Sequence, residues 1–294
     1  MFRIVTKATS ANLGPGFDLL GICLELNNEF IIKRQASYDF RGFREEYCDP
    51  DHNLFIKSYR YALEQLDLPE QPFLLIIKEG IPICRGLGSS SSLIVGGILA
   101  AFALNGLSYD RTKALTLANA IEGHPDNVAP CIFGGLCATR IKDEQIIKEA
   151  YPLNEELRFS FAVPDFSLST ALARSVLPKS LSYVQAIDNA TAILLLLRGL
   201  ANGEQQLIAK GLKDQLHVPY RKGLISEYEA VEACLLKHGA YGVTISGAGP
   251  TILAIHQGLK NGVAEELAKL DNHWQLYELK IAQGGSYYEP LSAC

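Results

Sequence analysis

The residues best placed to do chemistry stand in one stretch, Gly80–Ser92, with the sequence GIPICRGLGSSSS. The segment Phe73–Lys78 reads as a strand entering it, and the uncharged apolar run Leu93–Leu104 reads as a helix leaving it. A strand, a glycine turn and a helix N-terminus together present unpaired backbone N–H groups to an anion. The helix dipole adds about half a positive charge there. Gly86 and Gly88, either side of Leu87, permit left-handed backbone and let a phosphate approach without a Cβ in the way. The hydroxyls of Ser89, Ser90, Ser91 and Ser92 offer further donors, or an oxygen ligand for Mg²⁺. The stretch is not a P-loop, because no Lys follows its glycines. Nor is it a dinucleotide fingerprint, because Ser91 stands where the third Gly belongs. Taken alone it is either a phosphate cradle or a Ser/Gly cap on a buried helix.

The rest of the chain has to position this stretch. At 294 residues it is long enough for two domains with their own cores. Hydrophobic content of 48% and charged content of 20% are those of a soluble globular protein. With 27 basic against 32 acidic residues and no basic cluster, nucleic acid is not an expected partner. Seven scattered cysteines (23, 48, 84, 131, 137, 234 and 294) include no C-x-x-C pair, so reduced thiols in a cytoplasmic protein are expected. The N-terminus lacks the apolar run of a signal peptide, and Leu93–Leu104 is too short to span a membrane.

Along the chain, Phe2–Lys7 reads as a strand and Ser10–Gly21 as a loop. Ile22–Leu26 and Glu29–Arg34 read as a hairpin around Asn27-Asn28. Leu54–Leu66 and Arg111–Ile121 have helical spacing, the second ending at EGHPDN. VAPCIFGG reads as a short connection to a strand near Leu136–Ile141, and the charged segment Lys142–Glu149 as the approach to a domain boundary. The domains are therefore expected at 1–152 and 153–294. Beyond the boundary, Arg158–Val163 reads as a strand, and Ser167–Ser175, Tyr183–Leu200, Glu204–Lys210 and Leu224–His238 as helices. Gly242–Ser246 and Thr251–His256 read as strands around GAGP. A helix over Val263–Leu270 and a strand over Gln275–Ile281 follow. The class is α+β.

Three glycine-containing segments stand in order: SANLGPGFDLLG, PICRGLGSSSS and SGAGPT. Together they resemble the three motifs of the GHMP kinases, the galacto-, homoserine, mevalonate and phosphomevalonate kinases. The central P-x-x-x-G-L-G-S-S matches at Pro82, Gly86, Leu87, Gly88, Ser89 and Ser90. SANLGPGFD and GHPDNVAP resemble the homoserine kinase branch. The resemblance implies an N-terminal domain like ribosomal protein S5 domain 2 and a ferredoxin-like C-terminal domain. It further implies ATP-dependent phosphorylation of the side-chain hydroxyl of L-homoserine, a step of threonine biosynthesis, and it leaves a homodimer open. Two alternatives are another small alcohol as acceptor, or a non-catalytic ligand-binding regulator of the same fold.

The resemblance also assigns residues. ATP is expected on Pro82, Ile83, Cys84, Arg85, Gly86, Leu87, Gly88 and Ser89–Ser92, with Gly247 and Gly249 of the third motif nearby. Asn53 falls where relatives contact adenine, and is otherwise a helix cap. Mg²⁺ is expected on Ser90 (with Ser91 as the alternative) and Glu122. A hydroxyl and a carboxylate are the hard oxygen ligands this ion takes. The amino-acid substrate is expected on Asn12, Asp18, His124, Asp126, Asn127, Arg174 and Arg221, the two guanidiniums gripping its carboxylate. Thr170, one helical turn before Arg174, faces the same way and is assigned to the γ-phosphate or the hydroxyl. Mevalonate kinases carry an Asp base in a G-x-D-N context. Asp126-Asn127 occupies that region, but with one more residue before Gly134-Gly135, which puts an amide at the base position. An amide cannot serve as a base. Transfer without a strong base is therefore expected, with the hydroxyl held by Asn12 or Asp18 and activated against the γ-phosphate.

Overall fold

The computed structural model describes residues 1–143 and 145–291; Cys294 lies outside them. In chain order the elements are β1 (Phe2–Ala11), β2 (Leu20–Arg34), β3 (Asp39–Arg41), α1 (Leu54–Leu66), β4 (Phe73–Lys78), α2 (Ser89–Leu104), α3 (Arg111–Glu122), α4 (Pro125–Phe133), β5 (Leu136–Lys142), β6 (Gln145–Tyr151) and β7 (Arg158–Val163). They continue with α5 (Thr170–Ser175), α6 (Tyr183–Asn202), α7 (Gln205–Gly211), α8 (Val218–Arg221), α9 (Tyr228–Lys237), β8 (Gly242–Ile245), β9 (Ile252–His256), α10 (Val263–Leu267), β10 (Gln275–Leu279) and β11 (Tyr287–Pro290).

The first sheet runs β11-β1-β2-β4-β3, with β5 on the free half of β2 and β6 beside it. Helices α1–α4 cover it over a core that includes Phe30, Phe55, Phe73 and Ile98. The second sheet is four-stranded and antiparallel, in the order β10-β7-β9-β8. Its strands alternate with helices as βαββαβ, which is ferredoxin-like, as the resemblance implied. A second core joins β1 and β2 to β7, β9, α6 and α7 through Leu13, Leu24, Phe161, Leu196 and Leu253. The residues that the resemblance assigns to the site lie where these two halves meet.

Four elements differ from the sequence reading, each for a physical reason. Asn27-Asn28 is not a turn: β2 is a single 15-residue strand, with a register shift opposite Lys7/Ala8. The amide of Asn28 is buried and spent on tertiary bonds. Its oxygen accepts the N–H of Gly80 (2.9 Å) and Ile81 (3.0 Å), and its NH₂ donates to Ser92 (3.0 Å). Charged Lys142–Glu149 leads into an edge strand, β6, paired on one side with β5, and its exposed residues mix polar Gln145 and Glu149 with Ile147 and Ala150. VAPCIFGG lies mostly within a true helix, α4. Pro130 obscures it by removing one backbone donor, and that turn survives because β2 packs tightly behind it. A Cβ on Gly21 of β2 would sit 1.9 Å from the Asp126 carbonyl oxygen. Finally, β11 adds to β1 in the first sheet, so residues 153–294 are not confined to the second. This returning strand covers what would otherwise be the open edge of β1.

Candidate active site

The glycine stretch leaves β4 and becomes α2 at Gly88, whose φ of 73° and that of Gly86 at 76° are left-handed. The loop is pressed from behind as well as open in front. A Cβ on Gly86 would meet the Ser246 carbonyl oxygen at 2.3 Å, and one on Gly88 would meet Thr9 Oγ1 at 2.1 Å. The third motif forms that backing. Ser246 Oγ donates to Gly86 O (2.6 Å), and Gly247 N–H donates to Ala11 O (2.9 Å). Gly247 and Gly249 lie between β8 and β9, both at positive φ. Arg85 reaches across to the carbonyls of Pro164 (3.0 Å) and Asp165 (2.6 Å). Among the described residues, the side chains within the stretch divide sharply. Ser90 is exposed and Ser91 buried, yet both hydroxyls donate to the two oxygens of Glu122, each at 3.1 Å. Ser89 accepts the Cys84 N–H at 3.4 Å. Ser92 does not face the site: it is fully buried and bonded to Thr6 (2.6 Å) and Asn28. The side chain of Leu87 is likewise in the core.

Beside the loop lies a largely apolar cavity of about 200 Å³, lined by Phe43, Tyr47, Ile77, Ile83, Cys84 and Leu93 among others. Asn53 borders it, but as the cap of α1. Its oxygen accepts from Phe55 N (3.0 Å) and Ile56 N (3.3 Å), and its NH₂ donates to Tyr47 O (2.8 Å). Between the two readings of Asn53, the side chain realises the cap. Pro82 and Ile83 sit half-buried on the way into the loop, Ile83 on the cavity wall.

A charged cluster stands on the other side of Glu122. Its members come from four segments: the loop after β1 (Asn12, Asp18), the start of α4 (His124, Asp126), the end of α5 (Arg174) and α8 (Arg221). Asp18 and Arg174 form a bidentate pair at 3.0 and 2.6 Å. That pair raises the Arg174 pKa above the ordinary arginine value, the hydrogen bonds to Asp18 outweighing burial. Asn12, at φ 55°, is committed to the backbone: its oxygen accepts Asp18 N–H (2.9 Å) and its NH₂ donates to Gly247 O (3.0 Å). It therefore orients Asp18, with one N–H and one oxygen lone pair of its amide engaged. His124 bonds Asp126 at 2.7 Å. Burial depresses the imidazole pKa, but the bond to Asp126 and the charges of Asp126 and Glu122 outweigh it, so the value is raised. Asp126 is fully buried, and its second oxygen, Oδ2, has no hydrogen-bond partner among the described residues. Ligand atoms of Asp18, His124 and Asp126 lie within 4.8 Å of one another. Asn127 points elsewhere, accepting from Thr9 Oγ1 at 2.8 Å. Thr170 is exposed in the first turn of α5, one turn from Arg174.

Arg221 is 1% exposed and, among the described residues, is hydrogen-bonded to no carboxylate. It donates to Ala173 O (3.0 Å) and Gly247 O (3.1 Å), with the edge of His217 at 3.4 Å. Burial, then the positive charge of Arg174, pushes its pKa down to about 10. Three residues outside the assigned site support it: Asp214, His217 and Phe17, the last within the first glycine motif. Asp214 accepts the N–H groups of Leu216, His217 and Val218 (2.6–2.8 Å) and so builds the turn into α8. His217, fully buried, donates through Nε2 to Gly14 O (2.9 Å). Phe17 lies under both guanidiniums, 5.3 Å from Arg174 and 5.1 Å from Arg221, and against His217. For Asp214 and His217 the one sequence signal is the spacing Asp214–His217–Arg221 around a proline at the start of a short helix.

A helix N-terminus with free N–H groups, a hydroxyl–carboxylate pair beside it, and a cluster with both an unbalanced cation and an orphaned carboxylate oxygen can bring a phosphate ester and a zwitterion together. Comparison with known proteins agrees. The GHMP kinases N terminal domain matches residues 53–135 and the GHMP kinases C terminal domain matches residues 196–273. A homoserine kinase of Clostridium botulinum (strain Eklund 17B) is 36% identical over 293 residues, covering 98% of each chain. One of Crocosphaera subtropica is 40% identical over 285 residues, covering 94% of this chain and 91% of that one. The crystal structure of homoserine kinase from Cytophaga hutchinsonii superposes with a TM-score of 0.85 at 26% identity, covering 98% of this chain and 97% of that one. Mevalonate kinase from L. major shares the fold, with a TM-score of 0.70 at 15% identity, covering 96% of each chain. This chain belongs to the GHMP kinase family, on its homoserine kinase branch.

Proposed function

We propose that the protein transfers the γ-phosphoryl group of ATP to the side-chain hydroxyl of L-homoserine, giving O-phospho-L-homoserine and ADP for threonine biosynthesis in the cytoplasm. One observation carries the choice of an amino acid over a sugar or mevalonate. Among the described residues, the same cluster holds a buried guanidinium hydrogen-bonded to no carboxylate, Arg221, and a buried carboxylate oxygen with no donor, Asp126 Oδ2. Each is costly when left unpaired, and an ammonium and a carboxylate on one small molecule answer both. A sugar supplies neither charge, and mevalonate supplies only the negative one.

In this reading the phosphates of ATP lie on the free N–H groups at the start of α2, and adenine enters the apolar cavity beside Asn53. Ser90 and Glu122 are the fitting pair for Mg²⁺: two hard oxygen donors, already 3.1 Å apart, with phosphate and water left to complete the coordination. When bound, the ion neutralises charge on the phosphates. Arg174 and Arg221 take the substrate carboxylate, Asp126 with His124 takes the ammonium, and Asp18 receives the hydroxyl. The hydroxyl oxygen forms a bond to the γ-phosphorus as the bond from that phosphorus to the bridging oxygen breaks. ADP leaves with the electron pair, and the hydroxyl proton passes to Asp18 or to a transferred phosphoryl oxygen. Positioning does most of the work, as loose phosphoryl transfer allows. Asn127, bonded to Thr9, takes no proton.

The long apolar helix α6 meets the length and composition of a membrane span. It instead lays Asn189, Ala192, Leu196, Gly199 and Leu200 into the protein, and we read it as a helix of a soluble enzyme. The test is a coupled ADP-release assay with ATP and Mg²⁺ against L-homoserine, mevalonate and galactose. Turnover is expected with homoserine at least 100-fold above the others in kcat/KM. Preference for either alternative alcohol, or ATP binding without turnover on any of them, overturns the reading.

A further inference from the structure

Arg174 and Arg221 are chemically alike but held very differently. Arg221 is locked: it is buried, bonded to two backbone carbonyls and backed by His217. Arg174 is half-buried, and its guanidinium has one hydrogen-bonding partner among the described residues, Asp18. Both lie over the same ring, Phe17, so two positive charges share a small space, and the one carboxylate hydrogen-bonded to either of them among the described residues is Asp18. That carboxylate is the one nearest the reacting hydroxyl in the function read above. In this structure its two oxygens are forked by Arg174, which balances its charge and occupies its face. The backbone of Asp18 is fixed independently, by the Asn12 oxygen on its N–H and by a left-handed φ of 51°. If Arg174 swings away, Asp18 stays where it is.

We propose that Arg174 makes turnover itself depend on the substrate's carboxylate. A carboxylate arriving beside Arg221 replaces Asp18 as the partner of Arg174, and Asp18 is thereby released to the hydroxyl. The arriving carboxylate adds a negative charge beside both guanidiniums, so Arg174 keeps a carboxylate partner after it leaves Asp18 and Arg221 gains one. The exchange also makes the carboxylate contact more than a uniform binding contribution. A substrate lacking it leaves Asp18 forked and is turned over slowly even when bound. This rests on the homoserine reading, and the first measurement separates the two.

The experiment compares L-homoserine with 3-amino-1-propanol, the same molecule without its carboxylate, each at saturation. If the wild-type protein does not phosphorylate homoserine, the functional reading fails and takes this inference with it. If it does, kcat for 3-amino-1-propanol is expected to be lower by about 100-fold or more. In Arg174→Ala, Asp18 is free with either substrate. The kcat ratio is then expected to collapse to within about threefold, while KM for homoserine rises. A purely structural role for Arg174 would lower both rates together and keep the ratio. Equal kcat for the two substrates in wild type, or a wild-type ratio in Arg174→Ala, overturns the proposal. A crystal structure with homoserine bound supplies a check independent of the variant. Arg174 and Asp18 should no longer be within hydrogen-bond distance, and a retained bidentate pair would sink the idea.

Discussion

The glycine loop and the charged cluster meet at Glu122 and are built on opposite principles. The loop is local. One strand, one turn and one helix supply all its N–H groups, and what fixes it is close packing against backbone of β1 and of the β8–β9 turn. The cluster is assembled from four distant segments, and what fixes it is charge: a forked ion pair, a His–Asp bond and a guanidinium held by carbonyls. Packing tolerates almost no change in shape but is indifferent to pH and salt. Charge tolerates changes of shape and is sensitive to both. Substitutions on each side should therefore fail in different ways.

The largest effect is expected at Gly88. Any Cβ there lands 2.1 Å from Thr9 Oγ1, and the backbone requires a φ of 73° that β-branched residues avoid. Gly88→Val should lose nucleotide binding by calorimetry, and should also lose stability, by roughly 3 kcal/mol or more. The loop is a fitted part of the fold as well as a cradle, so the two losses are expected together. A Gly88→Val protein with wild-type melting temperature and ATP affinity would break the comparison on its packing side.

Glu122→Gln comes next and tests the border between the two regions. Glu122 accepts from Ser90 and Ser91 without being buried, so removing its charge should shift the melting temperature by no more than about 2 °C. Its kcat should fall by about 100-fold or more, with a higher Mg²⁺ concentration needed for half-maximal rate. A near-normal rate with unchanged Mg²⁺ dependence would move the metal to another carboxylate, with Asp126 the first to examine.

The same contrast explains what was legible in the sequence. The loop could be read because local structure is written in contiguous residues: β4, Gly86, Gly88 and the α2 run stand where the pattern put them. The α+β class and the order of the motifs were legible for the same reason. Ser92 was misplaced because four serines in a row do not say which face of a helix each occupies; one turn inside α2, Ser92 points at Thr6 and Asn28. Asn28 looked like a turn residue because its amide could have served one, and only the folded chain shows it capping Gly80 and Ile81. In the cluster, the resemblance supplied Asp18, His124, Asp126 and the two arginines, whose spacing alone says nothing. Phe17, Asp214 and His217 were not assigned to the site, since an aromatic inside a glycine motif and a His in a helix start resemble ordinary core. Their role comes from which elements α8 and the β1 loop happen to meet.

The smallest effect expected separates the two regions by pH. The pKa of His124 is raised in the folded protein: burial opposes the proton, but the Asp126 bond and the Asp126 and Glu122 charges prevail. A group whose folded value lies above its unfolded one binds its proton more tightly when folded. Its contribution to stability is therefore complete below the ordinary histidine value of 6.5 and fades as pH rises through the folded value. His217 and His256, depressed chiefly by burial, act in the opposite sense and cost stability as pH falls through 6.5. Wild type alone thus shows a mixed slope, and the informative quantity is the difference between wild type and His124→Gln in denaturant unfolding across pH 5.5 to 8.5, a window of about three units around neutrality. The variant should be less stable at the acid end, and the gap should narrow steadily toward the alkaline end. The same subtraction for Gly88→Ala should give a gap that does not change with pH, because no proton is bound where packing decides. A pH-independent gap for His124→Gln would mean that the His124–Asp126 contact is held by shape, and that the cluster follows the rule of the loop.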